Sequence, residues 1–161
     1  MIKPLFCSVF AAAVVMLSVS STDAQSSRKS VSGAEVTGTF KMSFIGKKYK
    51  GMSNDLEILA LGKGKLKIYF DLIYPYTNNA GEVGVNMGSI MGEASIVGDT
   101  AVYSTDEFGP CKITIKFVRP GQVKVTQDGE SFDCGFGHNV SAAGTYKKVS
   151  AAKPKFERPE Q

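Results

Sequence analysis

Between Glu35 and Ser150 apolar and polar residues repeatedly change places with a period of two, and this period restricts the chain to an antiparallel β architecture. Its clearest run is Leu66, Ile68, Phe70 and Leu72 against Lys65, Lys67, Tyr69 and Asp71. Successive side chains of a strand point to opposite faces, so such a run buries one face and wets the other. The same alternation sets Val36, Gly38, Phe40, Met42 and Phe44 against Thr37, Thr39, Lys41 and Ser43, and Cys111, Ile113, Ile115 and Phe117 against Lys112, Thr114 and Lys116. Shorter runs cover 54–61, 92–97, 100–104, 123–126 and 143–150. Gly62-Lys63-Gly64, Gly98-Asp99 and Arg119-Pro120-Gly121 mark hairpin turns.

These runs predict about eight short antiparallel strands, and no helix is expected after the first 24 residues. A sheet with one apolar face must close on itself or pair with another sheet. Gly38-Thr39-Phe40-Lys41 in the first strand is echoed by Gly144-Thr145-Tyr146-Lys147 in the last. In a closed meander these two strands are neighbours and meet similar surroundings, so the echo favours an eight-stranded up-and-down barrel over a β-sandwich. Two stretches lack alternation. Residues 75–90, rich in glycine and asparagine, read as a long loop, either a floppy insertion or a recognition loop. Residues 128–142 read as a second loop.

The first residues follow another logic. Lys3 precedes an apolar run from Leu5 to Leu17, too short for a membrane span of about 20 residues but suited to a secretory signal. Thr22-Asp23-Ala24 offers a small-x-small site, which predicts cleavage before Gln25. Residues 1–24 therefore read as a signal peptide, 25–34 as a disordered leader, 35–150 as the β-barrel domain and 151–161 as a disordered tail. No later segment is apolar enough for a transmembrane helix, so the expected product is periplasmic or secreted. Cys7 falls within the signal. Cys111 and Cys134 remain, and an oxidising compartment should pair them, fastening the 128–142 loop to the start of a strand.

The formal net charge of +4 permits contact with anionic glycans, lipid headgroups or an acidic protein. It falls short of the clustered charge of a dedicated nucleic-acid binder, and export also makes nucleic acid an unsuitable partner.

The meander with Gly-Thr-aromatic strands at both ends resembles the calycin superfamily of lipocalin- and avidin-like barrels. Gly92-Glu93-Ala94, Gly98-Asp99-Thr100-Ala101-Val102-Tyr103, Cys111-Lys112-Ile113-Thr114, Cys134-Gly135-Phe136-Gly137 and Gly144-Thr145-Tyr146 also resemble a group of small exported bacterial proteins of unsettled function. Some of those resemble, or occur with, lysozyme-inhibitor domains. The resemblance spans roughly residues 35–150, and its motifs are structural. The chain has no tryptophan. It therefore lacks both the lipocalin Gly-x-Trp signature and the tryptophans with which avidins stack on biotin, and neither ligand class carries over.

The candidate binding residues sit in the two loops. His138 is the one histidine, and Phe136 lies between two glycines. Phe136 reads first as a plug in the barrel mouth and second as an exposed anchor. His138 reads as a group bonding its own loop, as a side chain inserted into a partner's cleft, or, least of all, as an acid–base group. In the 75–90 stretch, Tyr74, Tyr76, Asn78, Asn79 and Glu82 combine aromatic faces with amides and a carboxylate, as sugar recognition requires. Lys47-Lys48-Tyr49-Lys50 is a hairpin tip that could also meet an anionic surface. Large inward rings (Phe40, Phe44, Phe70, Phe117 and Tyr146) argue for a filled interior.

No paired carboxylates, nucleophile motif or metal-ligand spacing stand out, so no catalytic residue, metal or cofactor is assigned. The expected function is that of an exported, monomeric, non-enzymatic binding module acting on an envelope protein or glycan. A lysozyme or other cell-wall hydrolase inhibitor is its specific form, and a carrier of a small apolar ligand in the barrel is the alternative. A positive inhibitor loses long-range attraction to a basic enzyme. Glu82, Glu93, Asp99, Asp106 and Glu107 would offset that loss if folding brought them together.

Overall fold

The computed structural model describes residues 30–156. The signal segment and the end of the tail lie outside the described residues. Eight strands follow in chain order: β1 (Gly38–Ser43), β2 (Ser53–Gly62), β3 (Lys65–Thr77), β4 (Val83–Val97), β5 (Thr100–Thr105), β6 (Cys111–Arg119), β7 (Gln122–Asp128) and β8 (Gly144–Ser150). Each pairs antiparallel with the next, and β1 pairs with β8, so the meander closes into a barrel. The sandwich is thereby excluded. Closure leaves no free edge strand and lets each alternating strand bury its apolar face against the others.

The interior is packed with the side chains that the alternation assigns to it. Phe40, Phe70, Phe117 and Tyr146 are all buried, as are Leu56, Ile58, Ile68, Leu72, Ile113, Ile115 and Val123. The rings meet edge to face: Phe40 and Phe117 at 6.4 Å between centroids, Phe70 and Tyr146 at 6.2 Å. Such contacts add about 0.5–1.5 kcal/mol each beyond area burial. Burial pushes the Tyr146 phenol well above its ordinary pKa. Its hydroxyl donates to Ala142 O at 2.9 Å, so the one polar atom of that ring is satisfied.

The two ends differ. At the lower end, residues expected to belong to a disordered leader and to the first strand instead form a one-turn helix, α1 (Gly33–Val36). Ser32 caps it by accepting from Glu35 N, and Val36 enters the core while Val31 packs against it. Lys148 enters from β8, donates to Ala34 O at 3.0 Å and Glu35 O at 2.8 Å, and sits over the Phe40 ring. A cation at the helix's carbonyl end is favourably placed. The pattern of Val36 therefore reflects a helical stopper rather than a strand, and β1 starts at Gly38. Phe44, expected inside, lies past the end of β1 and is only partly covered.

The largest correction concerns residues 75–90. They are not a loop: β3 continues to Thr77 and β4 starts at Val83, in unbroken register from Lys65↔Ser95 to Thr77↔Val83. Only 78–82 turn. Asn78 builds that turn, its Oδ1 accepting from Ala80 N and Glu82 N and its Nδ2 donating to the Glu82 carboxylate. The hairpin rises past the top of its neighbours, because β2 starts at Ser53 and pairs with β3 no higher than Asp71. Above that point Asn54 is buried, and its Oδ1 accepts from Ile73 N. The tail from Ala151 to Phe156 has no regular structure, and Lys67 stands over the Phe156 ring.

Candidate functional site

The upper end gathers the turns 44–52, 78–82 and 106–110 with the long connection 129–143. Cys111, the first residue of β6, faces the interior, and its sulfur bonds to Cys134 with 5.0 Å between Cα atoms. This anchors the middle of the connection to the rim. Local hydrogen bonds then fix its path: Cys134 N to Glu130 O, Gly135 N to Phe132 O, and Phe136 N to Ser131 O. The Asp133 carboxylate accepts from Glu130 N, and Gln127 Oε1 accepts from Ala142 N and Ser141 Oγ. The result is a folded lid.

The lid lands on β4. Gly137 N donates to Met87 O at 3.0 Å, and Asn86 Nδ2 donates to His138 O at 2.7 Å. A Cβ at Gly137 would stand 2.6 Å from Met87 O, so this approach of two backbones requires glycine. Phe136 is buried with its ring over Gly88, where a Cβ would come within 2.8 Å of it. It occupies the position of the plug rather than that of the exposed anchor. The two candidate loops of the sequence are thus one contiguous surface.

The lid fills a gap in the wall. β4 and β5 pair only at Ser95↔Val102, Ile96↔Ala101 and Val97↔Thr100, and above that the strands part. Tyr103 leans inward across the gap over Gly92. A cleft of 170 Å³ remains, lined among others by Ser89, Met91, Thr105, Glu107, Phe108 and Cys134.

Around this end large apolar side chains face solvent. Phe108 is 66% exposed, Met87 64% and Phe132 63%, and Tyr74, Tyr76, Val83 and Val85 are each about two-fifths exposed. Phe108 lies against Gly135, and the Phe132 ring is 6.3 Å from that of His138. Tyr74 lies opposite Asn86 on the inner face of the hairpin, toward the lid, whereas Met87, Val85 and Val83 stand on its outer face. His138 is exposed, and its backbone carbonyl is held by Asn86. Asn78 is committed to its turn, which leaves Asn79 and Glu82 at the exposed tip. Tyr49, from the lysine-bearing turn, meets Thr77 on the flank of the hairpin.

The five carboxylates whose convergence the sequence left open do not all come together. Glu93 pairs with Lys65 at 3.2 Å, toward the lower half, and Asp99 sits in the lower turn between β4 and β5. Asp106 and Glu107 do belong to the upper end, where Asp128, Glu130 and Asp133 join them. Phe108, Phe132, Asn86, Asp128 and Glu130 carry no motif that singles them out in the sequence. Their one local signal is an aromatic beside acids in each of two turns, Asp106-Glu107-Phe108 and Glu130-Ser131-Phe132-Asp133. Among the described residues no group of three or more His, Cys, Asp or Glu side chains could hold a metal ion, and no helix is long and apolar enough to cross a membrane.

Comparison of the chain with protein-family models, curated proteins and solved structures finds no match.

Proposed function

We propose that this barrel is an exported, non-enzymatic binding module whose upper rim engages a protein of the cell envelope. The observation that carries the reading is the gathering of exposed Phe108, Phe132, Met87, Tyr74 and Tyr76 at one end of a barrel whose interior is already filled. Large apolar side chains left in water on a strand-paired hairpin, and on and beside a disulfide-fastened, hydrogen-bonded lid, fit a pre-organised interface, because little entropy remains to be lost on binding. Aromatic residues are also the usual anchors of such interfaces.

The partner class that suits this rim is a basic cell-wall hydrolase of the lysozyme kind. Asp106, Glu107, Asp128, Glu130 and Asp133 make its lid side acidic although the whole chain is positive. Local complementarity of this kind can restore the attraction that the net charge opposes. The resemblance to calycin-like proteins linked with lysozyme inhibitors points the same way. The alternative of a small-ligand carrier has less support, since Phe40, Phe70, Phe117 and Tyr146 occupy the space a ligand would need.

The test is turbidimetric: lysis of a cell-wall suspension by each of a panel of structurally unrelated muramidases, with and without stoichiometric protein. Inhibition of at least one enzyme is expected, and it should be lost in the F108A/F132A variant, whose substituted rings are largely solvated. A full panel lysing at unchanged rates would sink the inhibitor reading.

A further inference from the structure

Away from the rim, one wall of the barrel carries charge in an order that β-sheet stability alone disfavours. Outward-facing residues form a row that starts beside the lower β6–β7 turn and climbs across four strands: Arg119 on β6, Gln122 on β7, Lys147 on β8 and Lys41 on β1. The row above it runs through Thr100 on β5, Lys116 on β6, Lys124 on β7 and Thr145 on β8. Five of these positions are cationic, three are neutral and hydrogen-bonding, and none is acidic. Lys116 stands directly opposite Lys124, and Lys147 opposite Lys41. Like charges so placed destabilise a sheet. Asp55 neutralises Lys41 at 2.6 Å. Among the described residues, no carboxylate is paired with Lys116, Lys124, Lys147 or Arg119.

We propose that this wall docks a linear anionic polysaccharide, one bearing sulfate, phosphate or uronate groups. Adjacent strands lie about 4.8 Å apart and diagonal neighbours about 7–8 Å, so the cations recur at short, regular steps around the wall. They make a band only two rows deep on a curved surface, a shape that follows a chain better than it meets a plane. Thr145 and the amide nitrogen of Gln122 add hydrogen-bonding groups suited to sugar hydroxyls; the Gln122 Oε1 accepts from Arg119 Nε, and the Thr100 hydroxyl donates to Asp99, whose carboxylate marks the lower border of the band. The exposed apolar residues bordering the band, Val97, Val102 and Val149, are too small to anchor it in a bilayer. No aromatic ring stands among the eight positions to stack on nucleobases. The proposal goes beyond the rim reading and does not depend on it.

Dextran sulfate is a suitable probe, with binding of the full chain measured over a series of salt concentrations. Affinity should fall with salt, and K116Q/K124Q/K147Q should lower the slope of log affinity against log salt by about one per lysine removed. A control with the same loss of charge in the upper turn, K47Q/K48Q/K50Q, should keep most of the binding. Equal losses in the two triples, or no binding by the wild type at low salt, would overturn the proposal. So would lysine-dependent sedimentation with anionic phospholipid vesicles in the absence of dextran sulfate binding. Lys116→Gln relieves the opposition to Lys124 and should melt at or above the wild-type temperature. A lower melting temperature would mean that the pair serves the sheet, and would likewise refute the ligand role.

Discussion

Gly84, Gly88 and Gly92 recur every fourth residue on the inner face of β4, and at each an aromatic ring takes the place of a side chain: Tyr76, Phe136 and Tyr103 in turn. Glycine weakens a strand by itself, but a ring laid over it restores the packing. The three rings come from β3, the lid and β5, so the compensation is tertiary. Gly88→Ala should therefore be costly out of proportion to one methyl group, since its Cβ would meet Phe136 at 2.8 Å. The expected loss is about 1–3 kcal/mol in urea unfolding, the range for overpacking. Removing the ring as well, in G88A/F136A, should cost less than the two single losses summed. Strict additivity would show that the ring and the glycine are not coupled.

Among the elements, β2 and β3 show how neighbouring strands tune each other's side chains. Asp55 lies directly opposite Asp71, with Glu57 two residues along the same outer face. Partial burial first, and the Asp55 charge second, raise the pKa of Glu57 above its ordinary 4.5 and that of Asp71 above its ordinary 3.8, while Lys41 acts against both shifts. A carboxyl whose pKa is higher in the folded state binds more protons there than in the unfolded chain. Its contribution is therefore fully favourable below the ordinary value and is lost as pH rises through the raised one. Asp71→Asn should be more stable than wild type at neutral pH, with the advantage shrinking as pH falls through the window just above 3.8. Solvent screening keeps the effect small. Denaturant midpoints of the two proteins over that pH range decide the matter, and a constant difference would contradict it.

The same scale shows what could be read from sequence. Runs such as Leu66–Leu72 and Cys111–Phe117 face a common core, so their alternation is visible without knowing what lies across from them. The stretch from Pro75 to Ile90 hid its strand because the partners of its glycines are other elements, one of them nearly fifty residues away in the lid. Val36 hid its helix for a related reason. A single turn held by Ser32 and by the distant Lys148 leaves no helical period to detect.

For the whole molecule, the disulfide and the filled core divide the work. The bond spans a sequence separation of 23, and closing a loop of that size stabilises the fold by about 3 kcal/mol on the chain-entropy model. The C111A/C134A variant should shift the urea midpoint by a corresponding amount. Its lid should exchange amide hydrogens faster at Gly137, whose N–H bonds to Met87 O, while the core strands remain protected. Loss of protection throughout would mean that the bridge holds the barrel and not merely its upper end.

The sequence alone determined the β class, most of the inward residues, the closing partnership of the first and last strands and the cysteines to be joined. The first three follow from local alternation or from a pattern that repeats along the chain, and the last from the two cysteines left outside the signal-like segment. Tertiary structure decided that the hairpin stands proud of the barrel, that Phe136 seals the gap between β4 and β5, and which charges share a surface. Those features depend on contacts between residues far apart in sequence, and on cross-strand registers that no single strand encodes. The rim and the basic wall are consequently properties of the folded barrel, assembled from residues that look unremarkable one strand at a time.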